Sequence, residues 1–320
     1  MTVAADWAQI QDLAEQIARQ VATGLGSRLS PINVAAMLVL CVIVYALRQP
    51  SVSFLVWLFP SRIYRHASFR VDLKLLLLNL LIGMFLVFNT SALAMAAALL
   101  VQRGLDIAPP DGNGGSAAIE TLLLFLTADF ASYWFHRLSH DWHRLWPIHA
   151  VHHSAEELNP ITVYRHHPAY LIVNAVLVSA GIGFAQAVML LLFTGRIDVL
   201  MLGGINLFYA VFNLFTANLR HSHIWLRYPP VIEHILISPA QHQVHHSIDP
   251  RHFNRNFGEV LAVWDWMFGT LYIPAGKESI RFGLGDAQGR PVLQPHPTLW
   301  RALTQPLLRM WTGRGTPGQE

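Results

Sequence analysis

Residues 117–140 read AAIETLLLFLTADFASYWFHRLSH. The first part, Ala117 to Phe135, is mainly apolar and about as long as a helix must be to cross a bilayer, roughly 20 residues. It runs without a break into His136 and His140. Positions i and i+4 share one face of a helix. This one stretch therefore predicts a membrane helix that delivers two imidazoles to the bilayer surface. Two further clusters follow, His149-Ala150-Val151-His152-His153 and His242-Gln243-Val244-His245-His246. Fourteen of the 17 histidines fall between His136 and His246, about a third of the chain. Histidine gains nothing in packing from such concentration, but it is the commonest metal ligand.

Composition agrees with a membrane protein. The 320 residues are 53% hydrophobic and 13% charged, against about 25% charged in soluble domains. Four further features limit the functional classes. Cys41 is the single cysteine, which excludes a disulfide framework and a cysteine-based metal site. The basic residues are dispersed, without the clustered face of a nucleic-acid binder. The N-terminal segment, through about Gly26, is polar and amphipathic and does not read as a cleavable signal peptide. No internal repeat is visible.

The expected fold is all-α, an integral membrane helical bundle of about four to five spans with a cytoplasmic helical cap that holds the histidines. Leu75–Leu100, Ala117–Phe135, Ala169–Thr194 and Val199–Ala217 are the expected spans. Val34–Leu47 and Val52–Phe59, interrupted at Arg48-Gln49-Pro50, read as one imperfect span. Arg103–Ser116 and Gly195–Asp198 read as connections. Arg62, Arg65, Arg70 and Lys74 place the Ser61–Arg70 loop in the cytoplasm by the positive-inside rule. Two spans then return the chain to that face at His136, and two more by His221. All three clusters thus reach one membrane face, and a re-entrant hairpin in place of either pair leaves that parity unchanged. Three regions follow: an amphipathic N-terminal segment (1–33), a membrane-embedded domain (34–273) and a polar C-terminal tail (274–320) expected to be a surface appendage.

The clusters supply His136, His140, His149, His152, His153, His242, His245 and His246. A tetrahedral site closes with four ligands, so two ions are the economical reading. Imidazole suits Zn, Cu, Fe and Ni, and the spacing alone does not choose. Arg220-His221-Ser222-His223 offers a ninth ligand. A single HxxxH is often only a surface pair, but surface histidines do not account for three such clusters on one face. Asp129, two turns before His136, is a candidate to orient a ligand imidazole, or else a polar residue facing the bundle interior. His167 opens a span and is either a second orienting group or an interfacial residue. Asn254 and Asn256 are candidates to hydrogen-bond a metal-bound water, although turn formation is their commoner role. His143, His234 and His252 fit no cluster and read as surface or structural. Trp142, Trp146, Trp225, Trp264 and Trp266 read first as an interfacial belt.

HRLSH, HAVHHSAEELN and HQVHHS, the last followed by NFGEVLAVWDWMFGT, resemble the fatty acid hydroxylase superfamily, also called the sterol desaturase family. The resemblance covers roughly Asp129 to Tyr272. It implies a membrane non-haem di-iron oxygenase with two iron ions (Fe2+/Fe3+) as cofactor and O2 as co-substrate. It implies the eight clustered histidines as ligands, and favours His221 over His223 as the ninth. Arg165-His166-His167-Pro168 is similar to an Arg-x-His-Pro segment of many relatives, which supports a role for His167.

The expected activity is hydroxylation or desaturation at an unactivated C–H bond of a membrane lipid. The chain has no flavin fingerprint and no ferredoxin-type cysteine run, so a separate electron-donor protein (reductase, ferredoxin or cytochrome type) is expected as partner, and no nucleic acid. The expected location is a bacterial inner membrane, clusters on the cytoplasmic face. A histidine-rich metal carrier or zinc-binding structural protein is the alternative, but transporters place ligands near the bilayer midplane. Haem ligation by histidine pairs is a third reading.

Overall fold

The computed structural model describes residues 28–105, 116–189, 201–202 and 205–313. Most of the expected N-terminal segment, the Gly195–Asp198 connection and most of the Arg103–Ser116 connection lie outside the described residues. Among the described residues the regular elements are helices, apart from a short antiparallel hairpin, Met201–Leu202 with Ile205–Asn206.

Helix α1, Pro31–Arg48, starts where the Ser30 hydroxyl accepts from the Asn33 amide and Pro31 supplies a fixed φ. It ends because Gln49 turns left-handed, at φ 45, and Pro50 cannot continue a helix. Val52–Phe59 is therefore not the continuation of one imperfect span. It holds a separate short helix, Phe54–Leu58, while α1 is long enough by itself. Its Val39, Val42, Ile43 and Leu47 are exposed, as lipid-facing residues would be.

Helix α2, Ala67–Leu105, has 39 residues and contains the apolar Leu75–Leu100 run. Helix α3, Ala117–Asp141, carries the opening stretch, and helix α5, Pro168–Met189, carries the described part of the Ala169–Thr194 run. Of the described helices, α1, α3 and α5 are long and apolar enough to cross a membrane. Helices α2 and α5 pack most extensively, and Gly183 is the reason they close. A Cβ there would lie 2.4 Å from the Ala94 carbonyl oxygen, inside any allowed contact.

The expected Val199–Ala217 span is not a single helix. The hairpin comes first, then Asn206 caps helix α6, Leu207–Phe215, of only 9 residues. A short 3-10 turn, Ala217–Leu219, follows. Hydropathy reports the apolar run but not the Asn206 cap that breaks it. Helix α4, Trp146–His153, and helix α7, Pro239–His245, are short and lie beyond the ends of the long helices.

The C-terminal region is not a loose appendage. His296 and Ala302 are buried, and the helix Leu299–Thr312, α8, packs on α4 and α2. Leu299 and Leu303 meet Val71, Leu75 and Val151 there. Its exposed positions include Trp300, Leu307, Leu308 and Trp311 beside Arg301 and Thr312.

Candidate metal centre

Each histidine cluster sits on a helix end with its own start signal. His136 and His140 occupy the last turns of α3. Pro147 opens α4, which carries His149, His152 and His153 within two turns. Pro239 opens α7 inside a capping box made by Ser238 and Gln241, and α7 carries His242 and His245, with His246 as its C-cap. His221 follows the Ala217–Leu219 turn.

Nine rings converge in two groups. His136, His140, His149, His153 and His245 form one, and His152, His221, His242 and His246 form the other. Within each group the candidate ligand nitrogens lie within 4.8 Å of one another. In the four-ring group, the His221, His242 and His246 Nε2 atoms form a triangle of 2.9, 3.1 and 3.2 Å, with His152 Nε2 3.1 Å from that of His221. In the five-ring group, His149 Nε2 lies 3.1 Å from both His140 and His153 Nε2.

A neutral imidazole has one proton, so three nitrogens in a triangle cannot all be paired by hydrogen bonds. A common central ion accounts for the spacing. Metal–nitrogen bonds of about 2.0–2.1 Å put neighbouring nitrogens about 2.9 Å apart at right angles and about 3.4 Å apart at tetrahedral angles. Two rings have their tautomer fixed. His136 Nδ1 donates to the Phe257 carbonyl at 2.7 Å, and His245 Nδ1 to that of Arg255 at 2.8 Å. A carbonyl can only accept, so each Nε2 is left a bare lone pair. Both are buried without a partner. The residues present thus fit metal ions.

The electrostatics favour the same form. Burial pushes His149, His152, His153, His221, His242 and His245 well below the ordinary imidazole range, and neighbouring imidazoles push them further. Burial, then His136 and His166, lower His246 to about 3. Neutral imidazole is the form that binds metal.

Two cavities flank the centre. One, of about 320 Å³, is lined by His136, His149, His152, His221 and His242, with Arg28, Arg220 and Glu259 on its wall. The other, of about 430 Å³, reaches His140, His153 and His245 only, beside Asp141, His143 and Asn254. An apolar groove of about 480 Å³, lined from α2 and α5, abuts the first cavity at Val163, His166, Leu171 and Asn174.

The model of the fatty acid hydroxylase family matches residues 121–270, the interval that contains all nine gathered rings. Residues 121–270 are thus similar to a fatty acid hydroxylase domain. It is 31% identical over 162 residues to alkylglycerol monooxygenase of Xenopus tropicalis, covering 51% of this chain and 32% of that protein. It is 29% identical over 209 residues to alkylglycerol monooxygenase of Danio rerio, covering 62% and 43%. It is 29% identical over 170 residues to the ornithine lipid hydroxylase of Rhizobium tropici, covering 52% and 46%. The aligned part spans less than half the length of each of these relatives. No solved structure matches the chain.

Inside the matched interval the other candidates fall in different places. His223 stays out of both groups; its Nε2 donates to the Trp57 carbonyl at 2.8 Å. Asp129 does not hydrogen-bond the His136 ring. Its oxygens accept from the Val260 and Leu261 amides and the Trp264 indole, at 3.0–3.1 Å. It holds the loop whose Phe257 carbonyl orients His136, and so acts at one remove.

His167 is also not beside the imidazole groups. Its Nδ1 accepts from the Ala169 amide at the start of α5, and its Nε2 donates to the Leu303 carbonyl. The neighbouring His166 is the one at the centre, stacked on His152 with ring centroids 4.2 Å apart. Asn256 adopts φ 57. Its side chain donates to the Gln241 and Tyr272 carbonyls and accepts from the Tyr272 amide, a turn role; Asn254, also at φ 57, borders the second cavity. Trp146 and Trp225 are buried rather than interfacial. Trp146 packs on His140 at 5.0 Å. His252 is buried and pairs with Glu278 at 2.9 Å.

Three supports carried no signal in the spacing. Asp265 accepts from the Phe257 and Gly258 amides at 2.8 Å and the Thr270 hydroxyl at 2.6 Å. Burial still pushes its carboxyl up to about 6. Gly258 lets this loop fold so tightly, since a Cβ there would lie 2.5 Å from the Leu261 carbonyl oxygen. Arg165 is wholly buried and pairs with Asp72 of α2 at 2.7 Å. It also donates to the Val151 carbonyl at 2.9 Å and the Ser154 hydroxyl at 3.0 Å, which fixes the end of α4 against α2.

Proposed function

We propose that this protein is an O2-dependent, di-iron hydroxylase or desaturase acting on an unactivated C–H bond of a membrane lipid. The observation that carries this reading is the pair of buried, neutral imidazole groups sharing one cavity that meets an apolar groove. His136, His140, His149, His153 and His245 would hold one iron, and His152, His221, His242 and His246 the other. When bound, the iron pair supplies O2 activation and hydrogen removal, chemistry that side chains lack.

The chain's own residues do the rest. The Phe257 and Arg255 carbonyls orient two rings. Phe135, Ile148 and Tyr170 pack behind α3 and α4 and keep water from that side. The groove between α2 and α5 admits an apolar chain toward the rings. The relatives named for alkylglycerol and ornithine lipid support a lipid substrate. Electrons come from a separate protein, since Cys41 is the only cysteine and is buried in an apolar cluster. Arg62, Arg65, Arg70 and Lys74 support a cytoplasmic position for the rings, in a bacterial inner membrane.

The test is aerobic incubation of iron-loaded protein, a chemical reductant and extracted membrane lipids under 18O2. A lipid product carrying 18O, or one with a new double bond and matched O2 uptake, is expected. Oxygen uptake with no altered lipid would refute the reading.

A further inference from the structure

Helix α8 has three sides, and only one of them is packed against the fold. On that side Ala302 and Pro306 are buried, Leu299 and Leu303 meet Val71 and Leu75 of α2, and Met310 packs on the cluster of Phe135, Leu145, Ile148 and Tyr170. Next to it, Trp300, Leu307 and Trp311 recur at i, i+7 and i+11, a spacing that keeps them on one face. Trp300 is 74% exposed and Trp311 88%. The third side is polar, with Arg301, Gln305 and Arg309 at i, i+4 and i+8. The position of α8 in the fold shows what can cover the bare apolar side. His167 Nε2 donates to the Leu303 carbonyl at 2.9 Å, and His167 directly precedes Pro168, the first residue of α5. Val71 and Leu75 lie where the Leu75–Leu100 apolar run of α2 begins. Helix α8 therefore sits at the edge of the apolar layer, beside the starts of two long helices. Just beyond that edge α2 exposes Leu73 and Leu77, and α5 exposes Ile172 and Val176, as lipid-facing residues would be.

We propose that α8 lies along the bilayer surface, with Trp300, Leu307 and Trp311 sunk among the upper acyl chains and Arg301 at the lipid phosphates. An apolar side next to a basic, polar one is the pattern of a helix that rests in the interface plane. Tryptophan suits that depth because its ring is apolar and its N–H is polar. The exposed Arg301 complements phosphate oxygens, with which a guanidinium makes charge-assisted hydrogen bonds. A protein partner would have to approach at the height of the headgroups, where lipid already is. The contact bears on the imidazole groups from outside, since α8 packs on α4, which carries His149, His152 and His153. It stands on the placement of α8 alone and does not require the oxygenase reading.

The test is site-specific fluorescence quenching in full-length protein, in phosphatidylcholine nanodiscs that hold one chain each. The single native cysteine is removed by Cys41→Ala, and one new cysteine is introduced and labelled with bimane. Leu307→Cys puts the label on the apolar side, and Thr312→Cys puts it on the polar side. Each is quenched in turn by phosphatidylcholine spin-labelled high on the acyl chain and by iodide in the water. The label at 307 is expected about 5–10 Å into the boundary between headgroups and acyl chains, quenched by the lipid probe and with iodide quenching lost. The label at 312 is expected to show the reverse. If Leu307→Cys fails to fold, Trp300→Cys replaces it with the same expected result. Iodide quenching at 307 as strong as at 312 would mean that the face is open to water and would overturn the proposal. Loss of iodide quenching at 307 without quenching by the lipid probe would mean that protein covers the face, and would overturn it as well. Neither probe depends on metal or on O2 turnover, so failure of the oxygenase reading leaves this result untouched.

Discussion

The five-ring and four-ring groups differ in what holds them and in what they face. In the five-ring group, His136 and His245 are tied through Nδ1 to the Phe257 and Arg255 carbonyls. Those carbonyls lie in one loop, clamped by Asp129 and Asp265. In the four-ring group no ring has a protein acceptor at Nδ1, and His152 leans on His166 instead. The four-ring group faces only the cavity that meets the groove, whereas the five-ring group also faces the second cavity. The rings tied to carbonyls are thus confined to one group, while both groups border the cavity on the groove side. Loop changes should therefore strike one ion selectively.

The largest effects should come from the rings themselves. His242→Ala leaves the four-ring group three ligands and is expected to cost it its ion, leaving about one iron per chain, whereas His245→Ala leaves the five-ring group four, enough to close a site, and is expected to weaken that ion without removing it. Iron measured by plasma mass spectrometry, with turnover lost in His242→Ala, checks this. Loss of both irons in each variant would mean that the groups are one cooperative site.

Gly258→Ala comes next. Its Cβ would press on the Leu261 carbonyl oxygen and on Asp265 Oδ2, 2.5 and 2.9 Å away. A destabilisation of about 1–3 kcal/mol is expected, with about 10–100-fold weaker iron binding confined to the five-ring group. Thermal melting and chelator competition read the two effects. Equal loss at both groups would break the contrast drawn above.

Asp265→Asn should act more mildly and depend on pH. The folded carboxyl is raised to about 6 from 3.8, so between those values the folded chain holds a proton that the unfolded chain has released. Asp265 therefore contributes stability that is fully present below the unfolded value and is lost as pH rises through about 6. In metal-free protein, the stability of the unmodified chain relative to Asp265→Asn should rise by about 1 kcal/mol per pH unit on going from pH 6 toward pH 4. Denaturant melts of both chains across that interval measure it; parallel pH profiles would contradict it.

His223→Asn should have the smallest effect, within about 1 kcal/mol for one neutral hydrogen bond to Trp57. Iron content should stay unchanged, in contrast to His221→Ala.

Much of the centre is legible in the sequence because helical spacing translates directly into shared faces. HxxxH and HxxHH place rings on one side of α3, α4 and α7, and the fold gathers those helix ends. What spacing does not carry is orientation between segments. His166 fits no cluster, yet the Arg165 anchor to Asp72 and the Asn79 bonds to the Tyr164 and His166 carbonyls fix the segment that sets its ring against His152. Asp129 stands two turns before His136, but the amides of the Val260–Leu261 loop take its oxygens first. Hydropathy reads Val199–Ala217 as one span because it sums apolarity and ignores the Asn206 cap that starts a separate helix. The C-terminal region reads as a surface appendage because its composition does not show that Leu299, Ala302 and Leu303 pack against Val71, Leu75 and Val151.

The most direct test is the metal content and its chemistry in full-length protein purified under iron-replete conditions. About two irons per chain, held by neutral imidazoles and lost stepwise through the two groups, is the predicted result, since nine imidazoles exceed what one ion accepts. A pure, folded sample that binds no transition metal, or only a single ion shared by all nine rings, would contradict it.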